Sequence, residues 1–195
     1  LSPLAASVSS FARDESGEPV LGLFRSKPPS EPAALPPEPD VDPIEEAIEA
    51  LAAVEHPDEV LEWLVSGASA LGSRVVVLAA HKRSFDGRIG SEGFDPDRIR
   101  ALRVPRAGAS IFDAAAHDGD YLGPVPATEV HTELTSLLGA AADEVYVTRV
   151  LVSERPALML LVASMADASE ASERVAPLAR KAGFAIERII LSRKL

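Results

Sequence analysis

The chain has 195 residues, of which 47% are hydrophobic and 25% charged, with a formal net charge of −11 and no cysteine. That length and apolar content suit one domain with its own core. The acidic balance argues against a nucleic-acid module, which carries a basic stripe, and against electrostatic docking onto anionic lipid. The missing thiols exclude disulfides, thiolate catalysis, Cys-ligated zinc and iron–sulfur clusters, and they fit a reducing cytoplasm.

No apolar stretch is long enough to span a membrane, and residues 1–15 lack the basic and apolar regions of a signal peptide. The chain begins at Leu1 rather than methionine, which leaves open whether it is a fragment of something longer. Residues 27–43 hold seven of the sixteen prolines. Proline removes amide donors and favours extended backbone, so 1–42 is expected to be a flexible N-terminal segment, with a linker over 27–42. The apolar segment Pro19–Phe24 has no assigned place.

Ordered structure is expected from Asp42. Asp42 can cap a helix, Pro43 suits its first turn and Glu45 completes a capping box. Ile44, Ala47, Ile48, Leu51 and Ala52 follow the helical period. A second helix starts at His56-Pro57-Asp58-Glu59, with the stripe Val60, Leu61, Leu64, Val65, Ala68 and Leu71, and Gly72 as its stop. The paired carboxylates Glu45-Glu46 and Asp58-Glu59 sit in helix first turns, where they suit the dipole and need no catalytic role.

The β-branched run 74–80 predicts a central buried strand, and 84–90 an adjoining strand. Asp95-Pro96 starts a short helix, and Leu102–Pro105 reads as an edge strand that tolerates proline. Helices are expected over 109–117 and 128–138, with 121–126 an extended loop between them. The clearest hairpin pairs 144–152 with 157–163 across Ser153–Pro156. From Ser169 the chain reads as one long helix, kinked by Pro177 and weakened by Gly183. This order predicts an α+β domain over 43–195: a central antiparallel sheet, flanking helices segregated on one side, and a cavity under the excursion 85–131.

The run Phe85-Asp86-Gly87-Arg88, Leu102-Arg103-Val104-Pro105, Ser110-Ile111-Phe112 and Tyr121-Leu122-Gly123-Pro124-Val125-Pro126 resembles GAF domains. It is most similar to a group of GAF-like modules of delta-proteobacterial regulatory proteins. The hairpin around Arg155-Pro156 and the helix from Ser169 match the end of that fold. The resemblance implies a signalling domain that binds a cyclic nucleotide, bilin, haem, metal or metabolite, or nothing at all. It also implies pairing through the flanking helices, here 43–54 and 169–190. The Asn-Lys-Phe-Asp-Glu set of the cyclic-nucleotide branch is missing, as is the cysteine that attaches bilins covalently. A shared fold does not supply a function.

Candidate site residues divide accordingly. Arg88 can grip a carboxylate or phosphate in bidentate fashion, or pair with Glu92 at the surface. Phe85, Phe112, His117 and Tyr121 are the other candidates for a pocket under the excursion; the aromatics are equally read as core. His117-Asp118-Gly119-Asp120 with His131 could ligate a metal or haem iron, or form a helix end and a polar turn; the turn is preferred, and no metal or cofactor is assigned. His81-Lys82-Arg83 could hold an anion or be a solvated strand end. The motifs of serine hydrolases, phosphate-binding loops and zinc peptidases are missing, so no catalytic residue is assigned.

Ile44, Ile48, Leu51, Val175 and Leu178 are the expected dimer contacts, and Trp63 could support such a seam or simply pack. Two readings follow: a sensor with a ligand under the excursion, or a cytoplasmic interaction module, homodimeric or partner-binding, whose pocket is filled by its own side chains. The small residues Ala107, Ala109 and Ala114–Ala116 favour the second.

Overall fold

The computed structural model describes residues 41–106 and 109–193. The readings of Pro19–Phe24, of the linker up to residue 40 and of Ala107 lie outside the described residues. Two helices open the fold, α1 (Pro43–Ala50) and α2 (Pro57–Ala68), followed by strands β1 (Gly72–Ala80) and β2 (Ser84–Gly90). The excursion contains α3 (Pro96–Ala101), β3 (Arg103–Pro105), α4 (Ile111–Asp118), β4 (Asp120–Gly123), a 3-10 turn and α5 (Thr132–Leu138). The hairpin β5 (Val145–Val152) and β6 (Arg155–Met165) leads into α6 (Ala168–Ser192).

The six strands form one antiparallel sheet in the order β3-β2-β1-β6-β5-β4. β1 is central, as its β-branched run predicts, and β3 is an edge, where Pro105 costs no ladder bond. Residues 120–123, expected as loop, instead pair with β5 from Asp120↔Thr148 to Gly123↔Val145 and close the opposite edge. A tyrosine and a leucine between glycines give too short an alternation to read as a strand.

Helices cover both faces of the sheet, not one. Val75 and Val77 of β1, with Leu160 and Val162 of β6, pack beneath α1, α2 and α6. Their neighbours Val76, Leu78, Leu161 and Ala163 point the other way, beneath the excursion. The strand period of two thus splits one continuous apolar run between two cores.

Local chemistry sets the element ends. Asp42 caps α1 by accepting the Ile44 amide at 3.0 Å, while its second carboxylate oxygen takes Arg174 of α6. Among the described residues Glu45 makes no reciprocal capping bond, so Arg174 is Asp42's second partner. Gly72 is the first residue of β1 rather than a helix stop: a Cβ there would lie 2.6 Å from the Ala163 carbonyl.

Candidate functional site

Two of the residues expected to line a pocket pack against each other. Phe85 of β2 and Phe112 of α4 are both fully buried. Their ring centroids lie 5.4 Å apart at an interplanar angle of 41°. Ile99, Leu102, Val104, Leu134 and Met159 complete the packing around them. Such a tilted aromatic pair is a stable core contact.

Arg106 holds the outer edge of this core. Its guanidinium lies 4.6 Å from the Phe85 ring centroid, donates to Asp113 Oδ1 at 3.1 Å and donates to the His81 carbonyl at 3.0 Å. One side chain therefore ties the end of β1 to α4 across the aromatic pair. Nothing in the local sequence singled out Arg106; an arginine after an edge strand reads as solvated.

His131 is also structural. It is completely buried, and its Nε2 accepts the Ile111 amide at 3.1 Å, satisfying a first-turn N–H of α4 that has no helical partner. Its Nδ1 lies 2.8 Å from Thr128 Oγ1. Burial holds the imidazole below its ordinary value of 6.5, against an opposing bond to the Pro126 carbonyl. A neutral ring with its proton on Nδ1 fits these partners.

The remaining candidates scatter. His117 is exposed at the end of α4, where Arg149 donates to the Ala116 and His117 carbonyls at 2.8 and 3.1 Å. Tyr121 packs against the rim of the filled core and donates to the Pro124 carbonyl at 2.6 Å. Among the described residues, no group of three His, Asp or Glu side chains could hold a metal ion. Arg88 is exposed and faces a different cleft, shared with Asp58 and Leu61 of α2.

The expected dimer contacts are corrected by burial. Ile44, Leu51, Val175 and Leu178 are 0–3% exposed within a single chain, and Ile48 packs against the same core. The apolar stripes of α1 and α6 that these residues form face their own sheet. Trp63 is half-buried against that core as well. The large apolar residues that α6 does expose are Phe184 at 61% and Leu191 at 63%, one heptad apart, and Ile190 at 40%.

Solved structures with similar chain traces include the GAF domain of a phosphoenolpyruvate-protein phosphotransferase from Coxiella burnetii, at TM-score 0.63 and 10% identity over 78% of this chain and 95% of that one. Residues 122 to 287 of a methyl-accepting chemotaxis protein match at TM-score 0.62 and 16% identity, over 77% and 99%. The phycocyanobilin-bound GAF domain of a cyanobacterial phytochrome matches at 0.58 and 12%, over 78% and 98%. The chain has a divergent GAF-like fold. No protein-family model and no curated relative matches it. Within the GAF-like frame, the Phe85–Phe112 pair and its neighbours occupy the layer between sheet and excursion.

Proposed function

We propose that this chain is a non-catalytic regulatory module of a cytoplasmic signalling protein, and that it works by pairing with a second copy of itself. The observation that carries the reading is the filled interior. With Phe85 and Phe112 fully buried against one another, a ligand beneath the excursion would have to displace packed core. A GAF-like domain that keeps its fold and fills this space has its surfaces left to work with.

The surface that suits a second copy is the outer face of α6. Pro177, Phe184 and Leu191 recur every seven residues, and all three are exposed. Arg180 and Glu187 flank that stripe on one side and line a hollow beside Phe184. In an antiparallel pair centred on Phe184, Arg180 of each copy meets Glu187 of the other, so the charges are self-complementary, as a two-fold interface requires. Exposed aromatic residues are favoured anchors of such interfaces.

Within the excursion, the small-molecule reading keeps a cleft of about 320 Å³ between α3 and α5, lined by Arg98, Leu102, Thr132 and Leu137. None of Phe85, Phe112, His117 or Tyr121 lines it. Light-scattering mass measurement across a concentration series tests the proposal. The wild type is expected to dimerise, and the Phe184→Glu, Leu191→Glu double variant to be monomeric with unchanged circular dichroism. A wild type that stays monomeric throughout, or a variant that still dimerises, overturns it.

A further inference from the structure

We infer that the cleft between α2, β2 and α3 is a binding site for a small dipolar molecule, one carrying both a carboxylate and a protonated amine. The inference goes beyond the pairing proposal and uses none of the α6 stripe, so either can fail without the other.

The backbone is shaped to build this cleft. Val77 pairs with Ile89 and Leu78 with Gly87, so Arg88 is the extra residue of a β-bulge. Bulges re-aim side chains and recur beside binding sites. Two glycines then seat α3 closely on β2. A Cβ on Gly87 would lie 2.0 Å from the Ile99 carbonyl oxygen, and the Gly87 amide donates to the Leu102 carbonyl at 2.9 Å. A Cβ on Gly90 would lie 3.0 Å from Ile99 Cδ1. This docking sets Arg100 of α3 beside Arg88 on one wall of the cleft.

The opposite wall, α2, contributes Asp58 and Glu62. Among the described residues no ion pair joins the two walls, and Arg88 has no ion-pair partner. The other cations nearby are engaged: Arg103 holds Asp86 through two bonds of 3.1 and 3.2 Å, and Arg100 pairs with Asp97 at 2.9 Å. Opposite charges thus line the two walls of the cleft without pairing across it.

A simple anion would meet the acidic wall, and a simple cation the arginines. A molecule with a carboxylate at one end and an ammonium at the other satisfies both. Arg88 offers the carboxylate a bidentate grip, and Asp58 accepts the ammonium. Leu61, Ile89 and Phe94 add an apolar surface for a hydrocarbon side chain. The apolar end of the cleft measures about 230 Å³, and the adjoining polar end, between Asp58 and Arg88, about 440 Å³; a small-molecule site takes roughly 300–1,000 Å³. An amino acid with an apolar side chain is the matching class.

The test is an amide-shift titration of the isotope-labelled chain with L-leucine, N-acetyl-L-leucine, L-leucinamide and inorganic phosphate. Leucine is expected to give saturable shifts at Gly87 and Gly90. Each capped analogue, and phosphate, should bind at least about tenfold more weakly. Arg88→Gln and Asp58→Asn should each weaken leucine by about tenfold. Both side chains are exposed, so both variants should stay folded, with an unchanged thermal midpoint for Arg88→Gln and a small drop for Asp58→Asn, which loses a first-turn carboxylate of α2. Equal binding of phosphate or N-acetyl-leucine would reduce the cleft to an anion site and overturn the proposal. Absent shifts, or shifts indifferent to both substitutions, would overturn it as well.

Discussion

Gly183 of α6 lies against the backbone of Leu151 in β5, so closely that a Cβ at 183 would sit 2.2 Å from the Leu151 carbonyl oxygen. The glycine is therefore the point where the last helix presses onto the sheet, not merely a weak link in a helix. Gly183→Ala gains about 1 kcal/mol of helix propensity. Against that, the obstructing atom is backbone and cannot swing aside, and overpacking of this kind costs about 1–3 kcal/mol. A net loss is expected, read as a lower urea midpoint at unchanged slope; a higher midpoint would show that α6 can shift outward freely.

This contact also marks a limit of sequence reading. The element order, the central place of β1, the edge proline of β3 and the long last helix follow from local periodicity and turn chemistry. Where α6 touches β5, and which core a strand residue serves, depends on partners more than twenty residues away. The same holds for the site. Phe85 and Phe112 are legible as apolar aromatics in the excursion, but only the tertiary fold makes them each other's filling rather than a ligand's walls. Ile44, Leu51, Val175 and Leu178 show a helical stripe that fits a seam or a core equally well. Arg88 stood out by its chemistry, and the bulge that directs it towards α2 leaves no signature beyond a neighbouring glycine.

His131 predicts a pH dependence. Its buried ring accepts the Ile111 amide through Nε2, and burial lowers its proton affinity below the ordinary value of 6.5. As pH falls, the unfolded chain takes up this proton before the folded one does. The contribution is thus fully present above about 6.5 and is lost as pH falls below it towards the folded value. Urea midpoints measured between neutral and mildly acidic pH should decline in the wild type. His131→Gln, which keeps an acceptor oxygen, should flatten that decline. An equal slope in both proteins would assign the effect to other groups.

The β5–β6 turn holds two non-glycine residues at positive φ, Ser153 at 49° and Glu154 at 63°. Both central positions of this tight hairpin turn favour asparagine or glycine, and the left-handed region costs other residues about 1–2 kcal/mol each. The Ser153 amide donates to the Glu187 side chain of α6, which helps to hold the turn in place. Glu154→Gly should raise stability by about 0.5–1 kcal/mol, the strain relief being offset in part by glycine's greater unfolded freedom. Chemical denaturation reads the difference, and a destabilised variant would mean that the Glu154 side chain makes a contribution larger than its backbone strain.

The filled interior makes the most decisive prediction. If the Phe85–Phe112 pair fills the layer between sheet and excursion, removing one ring should open that space at a large cost. Phe112→Ala is expected to lose about 3–5 kcal/mol, the sum of lost burial and a residual cavity. Phe112→Leu, nearer in volume and shape, should lose roughly 1.5 kcal/mol or less. The alanine variant should also acquire a dry apolar cavity able to take up benzene, with a ligand-dependent rise in thermal midpoint that the wild type lacks. A loss well below that range, together with benzene stabilisation already present in the wild type, would mean that the layer breathes open without mutation. The small-molecule reading would then replace the pairing proposal, because the aromatic pair would be a gate rather than a filling.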